Sequence, residues 1–233
     1  MSPEFAGLLS EVTVLALPAI FAITFHEAAH GFIAHRCGDD TAWNMGRVTF
    51  NPLKHIDPIG TVLMPLFLFV ASGGRFLFGY AKPVPVSFHK LNHPRRDMVY
   101  VALAGPATNV LLAIISALLM YTVPHLPGSF QEWTQQSLEY SVEINIILAV
   151  FNMIPLPPLD GGRVAVGILP DFLALPLARL ERVGILILIG ALFLLPMIGD
   201  QLGINLNIVG SVVEGPVNWL IGAIGWITGV RMG

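Results

Sequence analysis

Residues 98–123 contain no Asp, Glu, Lys or Arg. That run meets the requirement of about 20 mostly apolar residues for a helix that crosses the hydrocarbon core of a bilayer. In water, such a helix would need a polar shell around it on every side. The rest of the chain cannot supply one, because only 12% of the 233 residues are charged and 55% are apolar, with a mean hydropathy of +0.73. Soluble domains average about 25% charged residues, so lipid is the natural solvent for this chain. A net charge of −3 lacks the basic excess that draws a domain to nucleic acid, and no nucleic-acid partner is expected. The single cysteine, Cys37, excludes an intramolecular disulfide and a multi-thiolate metal site.

Four further regions read as membrane spans: residues 6–25, 138–159, 183–199 and 203–230, the last interrupted by Glu214, Gly215 and Pro216. Residues 59–74 are apolar but short, carry Pro65 and end in two glycines, which suits a re-entrant segment. No Lys or Arg precedes residue 36, and none falls in 97–162 or 183–230. Five spans with 59–74 re-entrant therefore place all 12 positive residues on the cytoplasmic side, where such residues concentrate. Residues 46–50 and 79–88 carry β-branched, aromatic and proline residues between turn formers, the pattern of short edge strands. The expected fold is an all-α integral membrane protein with five or six transmembrane helices, a re-entrant segment and a small β-sheet at the cytoplasmic side. No repeat or polar linker divides the chain, so 1–233 reads as a single membrane-embedded domain. Its core is expected over about 6–170 and its C-terminal helices over about 179–230. The first apolar run is not preceded by Lys or Arg, so a cleavable secretory signal is not expected.

In so apolar a chain, ionisable groups inside helices are functional candidates. The sharpest set is His26-Glu27-Ala28-Ala29-His30, at the end of the first span. A spacing of four puts both imidazoles on one helix face, one turn apart, where their nitrogens can bind a single Zn²⁺. Glu27, about 100° round the helix, is suited to act as general base on a zinc-activated water. Catalytic zinc takes three protein ligands and keeps one place open. The best-placed third ligand is Asp160, which follows a proline-broken stretch, Pro155, Pro157 and Pro158, and precedes Gly161 and Gly162. His55 and Asp57 compete for that role but read mainly as turn and interface residues. His35, His89, His93 and His125 read as solvated.

His26-Glu27-Ala28-Ala29-His30, Ala104-Gly105-Pro106-Ala107-Thr108-Asn109 and the run Phe151 to Arg163 (FNMIPLPPLDGGR) together resemble the site-2 protease family of membrane-embedded zinc metalloproteases. The resemblance covers most of residues 20–170 and is closest to the small prokaryotic type without accessory domains. It implies an intramembrane zinc metalloprotease that hydrolyses peptide bonds in or near transmembrane segments. On that resemblance one Zn²⁺ is held by His26, His30 and Asp160, Glu27 is the general base, and Asn152 binds substrate backbone or the oxyanion. The partners implied are a transmembrane protein or peptide substrate and the lipid bilayer. The location implied is the cytoplasmic membrane of a prokaryote, with the active site towards the cytoplasm. Gly105 and Asn109 read as close-packing and interhelical hydrogen-bond positions. The alternative from a different class is a small membrane transporter or metal carrier using the same polar cluster as an ion path.

Overall fold

The computed structural model describes residues 3–71, 79 and 81–230. Helix α1 (Pro3–Arg36) is 34 residues long, about 50 Å at 1.5 Å per residue. It stops where Gly38 takes φ +101°, a left-handed conformation that glycine adopts at little cost. The Asp39 N–H then donates to the Ala34 carbonyl at 2.9 Å, closing a glycine C-cap. The short α2 (Thr41–Asn44) follows. Asp57 caps the turn over Pro58–Leu63 by accepting from the N–H groups of Ile59 and Gly60, and the chain enters α3 (Met64–Ala71).

Helix α4 (Pro94–Leu119) opens with proline, whose missing N–H is not needed in a first turn, and a 3₁₀ turn carries it on to His125. Next come α5 (Gly128–Asn152), α6 (Asp160–Ile168) and α7 (Asp171–Arg179). Helices α8 (Glu181–Ile189) and α9 (Leu195–Leu202) run on from one another through Gly190–Leu194, and α10 (Ile208–Thr228) completes the described chain.

The packing is that of a protein whose solvent is lipid. Exposed positions include large apolar residues, Leu111, Leu186, Trp219 and Trp226 among them, whereas buried positions include Thr24, His26, His30, Asn109, Ser116, Asn145 and Asp160. Helices α1, α4 and α5 pack on one another and α6 on α4. Small residues, Ala22 and Ala28 on α1 and Ala102, Gly105 and Ala113 on α4, are buried. Close backbone approach replaces the hydrophobic driving force that lipid removes. A second apolar cluster joins Ala113, Ala117, Val142 and Ile146 to Val217 and Ile224 of α10.

Two expectations from the sequence are corrected. Among the described residues four helical stretches, not five or six, are long and apolar enough to cross a membrane: Ser10–Arg36, Pro94–His125, Glu181–Leu202 and Ile208–Thr228. The expected span at 138–159 is not among the four: its helix, α5, ends at Asn152 and carries Glu132, Glu139 and Glu143 along the part that precedes its apolar end. Pro155, Pro157 and Pro158 cannot donate to a helical ladder, so the rest of that window is irregular. The part of 59–74 that is described forms the turn at 58–63 and α3, and residues 72–74 lie outside the described residues.

The expected β-sheet is also absent, because the described residues contain no β-strand. Residues 48–50 form a bend and 81–87 have no regular secondary structure, while residue 80 lies outside the described residues. Side chains and one isolated carbonyl take up the hydrogen-bonding groups of 81–87. Lys82 N–H donates to the His55 carbonyl, Val84 N–H to Glu27 and Ser87 N–H to Asp39, while Arg47 donates to the carbonyls of Lys82 and Pro83. Pro83 and Pro85 have no N–H to offer a ladder.

Candidate metal centre

Three side chains from two distant parts of the chain converge inside the α1, α4 and α6 packing. His26 Nε2 and His30 Nε2 are 3.0 Å apart, and Asp160 Oδ2 lies 3.2 Å from the first and 3.3 Å from the second. All three residues are buried. A tetrahedral zinc with ligands at about 2.0–2.1 Å has ligand-to-ligand edges of about 3.3 Å, so the three atoms already sit at the corners of one coordination face.

The hydrogen bonds behind the imidazoles set which nitrogen faces the centre. Asn109 Nδ2 donates to the Ala22 carbonyl at 3.2 Å and to Asn145 Oδ1 at 2.8 Å, which turns Asn109 Oδ1 towards His26 Nδ1 at 2.6 Å. The Val101 carbonyl faces His30 Nδ1 at 2.7 Å. Both Nδ1 atoms therefore meet acceptors, and a neutral imidazole so held keeps its proton on Nδ1 and its lone pair on Nε2. Two lone pairs and a carboxylate oxygen then point at one spot in a buried site. Such an arrangement calls for a cation, and among the described residues these three form the group of His, Cys, Asp and Glu side chains able to hold a metal ion.

Glycine makes the space. A Cβ on Gly105 would lie 2.5 Å from His26 Cε1 and 2.5 Å from His30 Nε2, so α4 can approach the imidazoles only without a side chain there. Gly161 and Gly162 do the same for Asp160. A Cβ on either would come within 2.2 Å of the irregular backbone at Met153 or Pro157. The glycine pair thus packs α6 onto the segment that precedes it, and Asp160 enters the first turn of α6 at a fixed height.

Glu27 lines the same cavity of about 510 Å³ as the triad, together with Asn152, Ile185 and Leu188. Its Oε2 accepts from Val84 N–H at 2.7 Å. Asn152 is half-buried and its Nδ2 donates to the Leu148 carbonyl of its own helix at 3.0 Å. His55 and Asp57 stand apart from the triad. His55 is buried with Nε2 on the Thr49 carbonyl, and Asp57 caps the 58–63 turn. His35 pairs with Asp40 and stacks on Trp43, while His89, His93 and His125 are exposed. Sequence reasoning missed the Val101 carbonyl, Asn145 and the Val84 amide. A carbonyl or an amide leaves no mark in a sequence, and Asn145 was hidden within a span read only for its apolarity.

Apolar spans around a buried pair of histidines one helical turn apart, an aspartate brought in from a later helix and a glutamate in the same cavity define a class, the multi-pass membrane zinc metalloproteases. The chain belongs to peptidase family M50, the site-2 protease family, whose sequence profile matches residues 14–144 and 127–197. It is 36% identical over 194 residues, 81% of this chain and 84% of the relative, to a Bacillus subtilis (strain 168) protein provisionally named zinc metalloprotease YwhC. It is 32% identical over 165 residues, 70% of this chain and 73% of the relative, to a Methanocaldococcus jannaschii protein provisionally named zinc metalloprotease MJ0611. A Mycolicibacterium smegmatis relative, provisionally named zinc metalloprotease Rip2, is 32% identical over 143 residues, 61% of this chain and 52% of the relative. No solved structure matches the chain at comparable stringency. The protein is an intramembrane zinc metalloprotease acting on peptide or protein substrates in a membrane, and the family does not favour the transporter alternative.

Proposed function

We propose that His26, His30 and Asp160 hold the zinc ion, that Glu27 is the general base, and that the bond cut lies in or near a transmembrane segment of the substrate. The observation that carries this reading is the convergence of two Nε2 lone pairs and one carboxylate oxygen at 3.0–3.3 Å, in the cavity that Glu27 also lines. Bound zinc lowers the pKa of water towards neutrality and polarises a carbonyl. Glu27 takes the proton of the attacking water and returns it to the leaving amine. Asn152, on the wall of the cavity, meets substrate backbone by turning its amide from the Leu148 carbonyl. A helical substrate must unwind before it is cut, because its carbonyls are engaged in its own ladder.

Residues 6–170 act as the catalytic core and the helices over 179–230 as its lipid-facing companion within one domain. The enzyme works in the cytoplasmic membrane of a prokaryote with its site towards the cytoplasm. Arg36 closes the first span just beyond His30, Arg95 and Arg96 open the second, and Arg179 and Arg182 flank the start of the third. That placement supports a cytoplasmic orientation for the end that carries the site.

The test is zinc content and cleavage of a reporter transmembrane peptide by wild type and Glu27→Gln. Zinc should be stoichiometric in both, with cleavage reduced by about 10²–10⁴-fold in the variant. Full cleavage by Glu27→Gln would sink the assignment. Asp160→Asn should lower zinc occupancy while His55→Ala preserves it, and the reverse pattern would move the third ligand to His55.

A further inference from the structure

Residues 81–87, which have no regular secondary structure, form a strap that lines the cavity with Ala81, Pro83, Val84 and Val86. Because Pro83 and Pro85 have no N–H, Val84 is the one backbone donor between Lys82 and Val86. That donor is spent on Glu27 Oε2 at 2.7 Å. The strap is tied on both sides of this contact, by Lys82 N–H to the His55 carbonyl at 2.8 Å and by Ser87 N–H to Asp39 Oδ2 at 2.6 Å. Gly31, one residue beyond His30, lets it lie against α1, since a Cβ there would come 3.0 Å from Val84 Cγ1.

Arg47 grips the strap at the decisive peptide. Its Nη2 donates to the Lys82 carbonyl at 2.9 Å and to the Pro83 carbonyl at 3.4 Å. The Pro83 carbonyl and the Val84 N–H belong to one planar trans peptide group, so they point in opposite directions. A cation on the oxygen orients that group and strengthens its N–H as a donor. Arg47 is buried, 7% exposed, and among the described residues it makes no ion pair. Burying a guanidinium without a carboxylate partner is unfavourable, and a site that needed only packing would take an apolar side chain.

We propose that Arg47 is a positioning residue for peptide hydrolysis, acting through the Pro83–Val84 peptide to fix the carboxylate of Glu27. The inference rests on Glu27 being the general base. With Oε2 occupied by the Val84 amide, Oε1 is the oxygen left to take the proton, and its direction is set by the strap rather than by side-chain rotation. Releasing the carbonyls frees the peptide plane, and Glu27 then samples orientations that do not meet the attacking water.

The experiment uses the full chain in detergent or lipid, with zinc content, kcat and KM measured on a reporter transmembrane peptide. Arg47→Met should lower kcat about 10- to 100-fold, the scale of a misplaced catalytic group, with zinc content unchanged and KM within about twofold. Arg47→Lys, which can still reach a carbonyl, should recover part of the loss. In a Glu27→Asp background the shorter carboxylate no longer reaches Val84, so Arg47→Met should cost no further rate. Wild-type kcat in Arg47→Met, a change confined to KM, or the same further loss in the Glu27→Asp background would each overturn the proposal. If Arg47→Met does not accumulate as folded protein, Arg47→Lys decides. Reduced kcat with full zinc supports the role and wild-type kcat removes it. Full cleavage by Glu27→Gln would instead remove the base itself, a result distinct from any of these.

Discussion

Around α1, α4 and α5 the buried positions include His26, His30, Asn109 and Asn145, tied by hydrogen bonds of 2.6–2.8 Å. Helices α8 to α10 bury only Gly184, Leu188, Gly199, Val217 and Ile224, and turn Trp219 and Trp226 outward. Both regions contain helices apolar enough to span a bilayer, yet different forces specify them. In the C-terminal region composition is sufficient, because a Leu facing lipid can be exchanged for another apolar residue at little cost. In the first region His26, His30, Asn109 and Asn145 each meet specific hydrogen-bond partners, and an unpaired group there costs about 1–3 kcal/mol. Tolerance to substitution should therefore divide the chain between these regions, and four substitutions test where the division falls.

The largest effect is expected at Gly105→Ala. The new Cβ would fall 2.5 Å from both imidazoles, and zinc content and cleavage should drop on the order of 100-fold. Wild-type zinc by elemental analysis would show that α4 can give way. Asn109→Ala comes next. It strips His26 Nδ1 of its acceptor and leaves the Ala22 carbonyl and Asn145 Oδ1 short of a donor. Zinc affinity should fall about 10- to 100-fold, measured by competition with a chelator. An unchanged affinity would separate helix packing from metal binding.

Asp39 tests the boundary of the polar region. Burial alone would raise its carboxyl, but the Thr41 hydroxyl, the N–H groups of Ser87 and Thr41 and the charge of Lys90 outweigh it and hold the group below the usual carboxylate range. A depressed carboxyl stabilises the fold fully above its unfolded value of about 3.9, and that contribution is lost as pH falls through the lower folded value. Asp39→Asn should lower the thermal midpoint by about 5 °C at pH 7, and the gap to wild type should close in strong acid. A gap that persists there would assign the effect to shape rather than charge. Trp226→Ala, at a site 87% exposed, should change stability by less than about 0.5 kcal/mol and leave zinc untouched. A larger loss would mean that the C-terminal helices have specific partners after all.

What could be read from the sequence follows the range of the interactions. His26, Glu27 and His30 are one helical turn, so local periodicity alone places two imidazoles on one face. Asp160 was legible because its glycine and proline neighbours permit only an irregular approach. The strap was not. Proline and valine alternating over 83–86 look like an edge strand, and only a partner distant in sequence decides whether such a segment pairs. Here those partners are Glu27, Asp39 and Arg47, from 35 to 57 residues away in the individual contacts. The span count failed for a similar reason. A window over 138–159 averages its residues, while the helix ends at Asn152, before the prolines. The polar positions Ser141 and Asn145 also face neighbours that hydropathy does not register.

Asn109 has one amide group and three obligations: an imidazole and a carbonyl on α1, and a second amide on α5. Its own place is on α4, so a single side chain is shared by three helices and by the metal centre. On the proposed ligand set, free energy gained when the ion binds is also free energy of helix association. A chelator is then expected to act on this enzyme as a mild denaturant as well as an inhibitor, which a lower thermal midpoint in the chelated protein would show.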